Sequence, residues 1–307
     1  MKKKIQTIGV VAPSFFVEKY DAYKRGIKTL QDGGYHIIYG NTVNKRYYNT
    51  TGTAINRARD INGMFADSRV DMIIATDGGC RAEELVELLD YDLIKKNPKP
   101  ICGFSDITHL LLAIYTKTNI PVIHGMDIIN GFGEMDSEIK RKNISHFWNV
   151  VYDDVVNFDF SNSIVLKAGK GKGVMIGGWL NAIEHLAGSE FFPSDKNLVL
   201  LWEAIDEEPN RINMMLQSLK LKNILARTSA MVIGELSNCQ EKEYFDCIPD
   251  FDEMILEVCS SYNFPIIKNA SFGHKENKQS FRFGKVININ TEEKNEKTSV
   301  HTKRDWI

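Results

Sequence analysis

The sequence predicts an α/β protein, with βαβ units around a parallel sheet in an N-terminal domain over residues 1–135 and a mixed α/β C-terminal domain over residues 171–307. Three observations predict it. Short apolar runs alternate with amphipathic stretches at helical spacing through the first part of the chain. Glycine pairs and prolines punctuate the junctions between them. The 307 residues, 43% of them hydrophobic and 25% charged, suffice for two domains or one large one with a substantial core.

Ile5 to Val11 is the first expected strand. Gln6, Thr7 and Gly9 interrupt its apolar character and Pro13 ends it, so the Met1-Lys2-Lys3-Lys4 start does not read as a secretion leader. Tyr20 to Gly33 is an expected helix closed by Gly33-Gly34, His36 to Tyr39 the second strand and Ala54 to Ala66 the next helix. Val70 to Ala75 is the third strand, ending in Thr76-Asp77-Gly78-Gly79, with a helix expected from Arg81 to Leu89. Pro98-Lys99-Pro100 closes a loop before the short buried strand Ile101-Cys102-Gly103, and Ile107, Leu110, Leu111, Leu112 and Ile114 mark the helix that follows. Pro121 to Gly125 reads as a further strand end. Residues 136–170 are polar, with Lys140-Arg141-Lys142 and a Gly169-Lys170-Gly171-Lys172-Gly173 stretch, and read as a crossing between domains. That stretch lacks G-x-x-x-x-G-K-[ST] and so is no phosphate loop. The second half continues with Val174 to Gly178, a helix to Leu186, the apolar strand Leu198 to Trp202, a helix Ile212 to Leu219, a strand Ala230 to Ile233, a helix Asp252 to Tyr262 and the run Phe264-Pro265-Ile266-Ile267.

Composition excludes several function classes. Lys plus Arg at 38 against Asp plus Glu at 40 gives a net charge of -2, which offers no electrostatic footing for a nucleic-acid or membrane partner. No run of about 18 apolar residues is present to cross a bilayer. The five cysteines, Cys80, Cys102, Cys239, Cys247 and Cys259, are odd in number and scattered without a C-x-x-C pair, so the expected setting is reduced and cytoplasmic.

In open α/β sheets, ligands collect at the carboxyl ends of the strands. Ala12-Pro13-Ser14, Gly78-Gly79, Ser105 and His124-Gly125 all fall at such ends. Ser105, in Gly103-Phe104-Ser105-Asp106-Ile107-Thr108, stands between an apolar strand and an apolar helix. A sharp turn there exposes the hydroxyl, and the helix start offers backbone N–H groups to a developing oxyanion. Ser-Asp before such a helix is also an ordinary N-cap, and Ile107 occupies the place of the second glycine of G-x-S-x-G. A serine nucleophile needs a base oriented by an acid. His109 shares the helix of Ser105 and reads as a packed or surface histidine; His124 ends a strand and either lines the site or has a structural role. His274 in Phe272-Gly273-His274 opens a polar loop suited to proton transfer. Glu203 ends the apolar run Leu198 to Trp202, where its alternative is a surface salt bridge, and Asp206, Glu207 and Glu208 follow in the loop. Cys80 reads as incidental rather than as a thiol nucleophile.

The chain resembles the LD-carboxypeptidase family of serine peptidases, which includes the microcin C immunity proteins. The resemblance runs through Ala12-Pro13-Ser14, Asp77-Gly78-Gly79, Leu89-Asp90-Tyr91, Asn97-Pro98-Lys99, Gly103 to Thr108, His124-Gly125, Gly177-Gly178-Trp179-Leu180, Leu201-Trp202-Glu203 and Phe272-Gly273-His274, in that order and over nearly the whole chain. It implies a Rossmann-like N-terminal domain carrying the serine, a C-terminal domain carrying the acid and the histidine, and an active site in the cleft between them. It implies Ser105 as nucleophile, His274 as base and then acid, Glu203 as its orienting group, and the backbone N–H groups of Gly79 and Asp106 as oxyanion hole. No metal and no organic cofactor is implied. Gly78, Arg81, Trp179 and His124 are the candidate substrate-binding residues. The sequence departs from the family pattern at Cys80-Arg81, at Trp179 and at Lys275-Glu276-Asn277, places that bear on specificity. Arg81 either binds a substrate carboxylate or faces solvent, and Trp179 either stacks on a base or packs. Three functions follow as expectations: a peptidase cleaving the L,D-linkage of murein peptides, a self-immunity hydrolase cleaving peptidyl or aminoacyl nucleotides, and a silent binding module. The expected partners are a small peptide or peptidyl-nucleotide substrate and a second copy of the chain in a homodimer, without nucleic acid or membrane.

Overall fold

Ile8, Val10 and Val11 are all buried, which sets the strand β1 (Thr7–Val11) in the middle of a sheet rather than at its edge. The computed structural model describes residues 4–152, 160–239, 250–276 and 278–292. Cys247, Asn277 and His301 lie outside the described residues. After β1 come α1 (Tyr20–Asp32), β2 (His36–Tyr39), α2 (Ala54–Ala66), β3 (Met72–Ala75), α3 (Tyr91–Lys96), β4 (Ile101–Gly103), α4 (Thr108–Thr118), β5 (Val122–His124) and α5 (Glu138–Tyr152). Thr53 caps α2 by accepting from Asn56 N–H, and Asp90 caps α3 by accepting from Leu93 N–H. In α4, Leu110, Leu111, Leu112, Ala113 and Ile114 are all buried, so this helix is surrounded by protein rather than amphipathic.

The chain continues through β6 (Ile164–Lys167), β7 (Lys170–Trp179), α6 (Leu180–Leu186), β8 (Leu198–Ile205), α7 (Pro209–Leu221), β9 (Thr228–Ser237), α8 (Phe251–Val258), β10 (Ile266–Lys268), β11 (Phe281–Arg282) and β12 (Val286–Asn290). It divides into two compact units, Met1–Asp153 with Ser280–Phe283, and Asp154–Gln279 with Gly284–Ile307. The sheet of the first unit has the order β11-β5-β4-β3-β1-β2, parallel except for β11, whose Phe281 pairs with His124 of β5. The strand order reverses between β1 and β3, the place where such sheets bind ligands. The turn after β1 and the Asp77-Gly78-Gly79 loop after β3 both leave from there. The sheet of the second unit has the order β12-β7-β8-β9-β10-β6, with β7 to β10 parallel and both edge strands antiparallel.

Two expectations are corrected. The helix expected from Arg81 to Leu89 is a 3-10 helix over Glu83–Leu88, because Arg81 has a left-handed backbone (φ +72°) and the Ala82 N–H is turned to a side chain. The strand expected to end at Trp202 runs on through Glu203 to Ile205, since β9 pairs with it as far as Ser237. The polar stretch 136–170, expected as a crossing between domains, holds α5, with Phe147 and Val150 buried, and β6 at the edge of the second sheet, and the division between the two units falls within it.

Candidate active site

Ser105 stands where β4 turns into α4. Phe104 before it is extended (φ -146°, ψ 159°), Ser105 itself has φ +57°, and a 3-10 turn over Ser105–Ile107 leads into the helix. A left-handed conformation costs a non-glycine residue about 1–2 kcal/mol. Backbone strain of this kind at the junction of a strand and a helix marks a position held by its surroundings. The surrounding glycines are dictated by contact. A Cβ on Gly78 would lie 2.8 Å from the Ser105 Cβ and 3.3 Å from its Oγ, and one on Gly103 would lie 2.3 Å from Ile107 Cγ2. Gly79 has φ +123°, and a Cβ there would fall 2.5 Å from Phe15 Cγ.

Asp106 joins three segments. Its buried carboxylate accepts from Ser14 Oγ at 2.6 Å and from the Ala82 N–H at 3.0 Å, and its other oxygen lies 3.2 Å from His109 Nδ1. One side chain thereby fixes the turn after β1, the loop after Gly79 and the serine turn together. His109, expected to be packed or on the surface, is buried and braces Asp106, with Nδ1 also 2.9 Å from the Asp106 carbonyl oxygen. Asp77 is held in turn by Asn130, whose Nδ2 donates to Asp77 Oδ1 at 2.6 Å, while Asp127 accepts from the N–H groups of Asn130 and Gly131 at 2.5 and 3.2 Å. Burial and the nearby Asp106 carboxylate push the Cys80 thiol up, away from the thiolate a nucleophile needs. Glu83, Asp106 and His109 bring possible metal-ligand atoms within 4.8 Å of one another, but those of Asp106 and His109 are engaged by Ser14, Ala82 and each other.

The second unit carries the acid and the histidine. Glu203 is fully buried inside β8, so the surface salt bridge weighed for it does not apply. Where β8 pairs with β9 the register shifts between Trp202 and Ala204, the extra residue lying on β9 between Ile233 and Leu236, across from Glu203. Its Oε2 is 2.6 Å from His274 Nδ1, and its Oε1 has no partner among the described residues. The carboxylate accepts in this bond, so the imidazole carries a proton on Nδ1. His274 follows Gly273, whose φ of +134° and close approach to Glu235 exclude a side chain: a Cβ there would lie 2.9 Å from the Glu235 Cβ. Glu235 brackets the histidine. Its N–H donates to the Phe272 carbonyl at 2.8 Å, and its Oε2 accepts from the Lys275 N–H at 2.8 Å. Burial pushes the Glu235 carboxyl up, against the Lys275 N–H bond that pulls it down.

The structure thus brings Glu203 to His274, and Gly78 and Asp106 to Ser105. Among the candidate substrate residues, Gly78 packs against Ser105, and Trp179 is half-buried at the start of α6, in register with Glu203. His124 is buried with its ring stacked on Phe281 at 4.7 Å and edge-on to Phe104 at 5.3 Å. Arg81 is partly exposed and donates from Nε to Glu84 at 2.7 Å. Sequence reasoning missed Glu235, although Gly234-Glu235 follows an apolar run as Glu203 does. It also missed Arg57, whose position one turn before Ile61 on the apolar face of α2 was the signal of a buried guanidinium.

The fold is that of a two-domain α/β hydrolase, and comparison with known proteins gives its family. Residues 8–125 match the LD-carboxypeptidase N-terminal domain and residues 172–289 the LD-carboxypeptidase C-terminal domain, so the chain belongs to the LD-carboxypeptidase family of carboxypeptidase hydrolases. The microcin C7 self-immunity protein MccF of Escherichia coli is 27% identical, over 92% of this chain and 89% of its own. The probable murein peptide carboxypeptidase of Bacillus subtilis is 25% identical, over 95% of this chain and 91% of its own. The crystal structure of muramoyltetrapeptide carboxypeptidase from Oxalobacter formigenes superposes with a TM-score of 0.82 at 25% identity, covering 96% of this chain and 97% of that one. Among the described residues no helix is long and apolar enough to cross a membrane.

Proposed function

We propose that this protein is a serine carboxypeptidase that cleaves the amide at the L,D-linkage of murein peptides, with Ser105, His274 and Glu203 acting as a triad. His274 Nε2 takes the proton of Ser105 Oγ as the oxygen bonds to the substrate carbonyl carbon. The resulting oxyanion is held by the backbone N–H groups of Gly79 and Asp106, each such donor being worth on the order of 3 kcal/mol in the transition state. Collapse breaks the C–N bond, and the departing amine leaves with the proton held by His274. Water then attacks the acyl-enzyme with His274 as base and releases the acid and Ser105. The observation that carries this reading is the buried Glu203–His274 pair at 2.6 Å, because a buried acid oriented on one imidazole nitrogen prepares the other for proton transfer. The strained turn at Ser105 supports it from the serine side.

A fluorophosphonate probe tests the nucleophile. It labels the wild-type protein at Ser105, and Ser105→Ala removes both labelling and hydrolysis, lowering turnover by ~10³-fold or more. Labelling elsewhere, or a variant that still turns over a verified substrate, overturns the assignment. The likeness to MccF supports a second reading, a self-immunity hydrolase acting on peptidyl or aminoacyl nucleotides. A side-by-side assay of a murein tetrapeptide and an aminoacyl sulfamoyl adenosine separates the two. The first reading predicts cleavage of the tetrapeptide alone.

A further inference from the structure

We propose that Arg81 is a carboxylate-binding residue, holding the free C-terminal carboxylate of the amino acid that cleavage releases. The inference rests on the carboxypeptidase reading and names the group through which that substrate is chosen. Arg81 lies two residues after Gly79, with φ +72°. This left-handed conformation suits glycine, and a side chain persists there only where its surroundings fix it.

The surroundings are a second arginine and one glutamate. The Arg57 side chain is fully buried; Nη1 donates to the carbonyl oxygen of Arg81 at 2.9 Å and also to that of Pro13, and Nε donates to the Gly52 carbonyl at 3.0 Å. Nη2 of Arg57 pairs with Glu84 Oε2 at 2.5 Å, and Glu84 Oε1 accepts from Arg81 Nε at 2.7 Å. Arg57 therefore fixes both the backbone of Arg81 and the carboxylate that aims its side chain. Glu84 takes the Nε edge. On the outer edge, Nη1 has a long contact of 3.4 Å to Asn49 Oδ1 and Nη2 has no partner among the described residues, in a side chain 37% exposed. What remains open is a planar two-donor fork, the shape that matches a carboxylate through two parallel bonds. A merely solvated arginine requires neither a strained backbone nor a buried guanidinium beneath it.

Titration calorimetry on Ser105→Ala protein, which binds without turnover, tests this with a murein tetrapeptide ending in free D-alanine and the same peptide as its C-terminal amide. The Ser105→Ala parent should prefer the free acid. Adding Arg81→Ala or Arg81→Gly should weaken binding of the acid by about 10- to 100-fold, as loss of a charged bidentate contact does, and leave the amide unchanged. Glycine suits φ +72°, so Arg81→Gly should melt no lower than Arg81→Ala, which separates loss of the guanidinium from loss of the loop. Equal weakening of both peptides, no weakening of either, or no preference in the parent overturns the inference and leaves the carboxypeptidase reading standing. A parent that binds neither peptide overturns both.

Discussion

Glu203 has one oxygen on His274 and the other without a partner among the described residues, inside a strand where no water-facing surface compensates it. A buried acid left half-satisfied is costly, and its persistence points to a role of orientation rather than stability. Glu203→Gln keeps the volume but weakens the hold on a protonated ring. The expected result is a fall in turnover of ~10²- to 10⁴-fold, with a melting temperature equal to or above wild type. A rate within threefold of wild type would show that His274 needs no acid. Glu235 makes a different prediction. Its carboxyl is held above the usual range chiefly by burial, so the folded protein binds this proton more tightly than the unfolded chain. Folding stability from this group is therefore greatest at low pH and is lost as pH rises from the unfolded value of about 4.3 through the raised folded value. Glu235→Gln removes that slope. The difference in melting temperature, variant minus wild type, should be more positive at pH 7.5 than at pH 4.5; a constant difference would mean that Glu235 titrates alike in both states.

At the scale of elements, the serine turn works only if the loop after β3 can lie against it. Gly78→Ala would force a Cβ to 2.8 Å from that of Ser105, so the expected effect is a stability loss of ~1–3 kcal/mol and at least a tenfold fall in kcat, read by melting curves and steady-state rates. Unchanged kcat would show that the serine turn tolerates displacement. Gly63 supplies the contrast. It is exposed inside α2 with nothing within 4 Å of a Cβ, and Gly63→Ala should stabilise the protein by ~0.5–1 kcal/mol without touching activity. Elements whose signals are local were legible in the sequence. β2 over His36–Tyr39 and α2 over Ala54–Ala66 stand where the apolar pattern and the glycine stops put them. Elements shaped by distant partners were not. A charge at Glu203 reads as a strand end in the sequence, whereas β8 continues because β7 pairs with it as far as Glu203 and β9 as far as Ile205. β11 is two residues long, and Phe281 acquires its role by stacking on His124, more than 150 positions earlier in the chain. Pro209 at the first position of α7 was a start signal, yet the apolar pattern alone placed the helix from Ile212.

For the whole molecule, the division into two units places Ser105 in one and Glu203 with His274 in the other. As candidates, Ser105, Glu203 and His274 stood out in the sequence because each sits close to a glycine or at the end of an apolar run. Arg57 and Glu235 carried a local signal, but the groups they hold were not readable, since Arg57, Asn130 and Glu235 act on loops distant in sequence: Arg57 on Pro13 and Arg81, Asn130 on Asp77, Glu235 on Lys275. The proposed triad requires two separately built halves to act as one device, and that requirement has a kinetic signature. If His274 serves only to activate Ser105, removing it from a protein that already lacks the hydroxyl changes nothing further. Ser105→Ala and His274→Ala should each lower kcat by ~10³-fold or more, and the double variant should lie within a few fold of either one. Losses that multiply across the double variant would mean that serine and histidine serve separate steps, and the shared proton transfer between them would have to be abandoned.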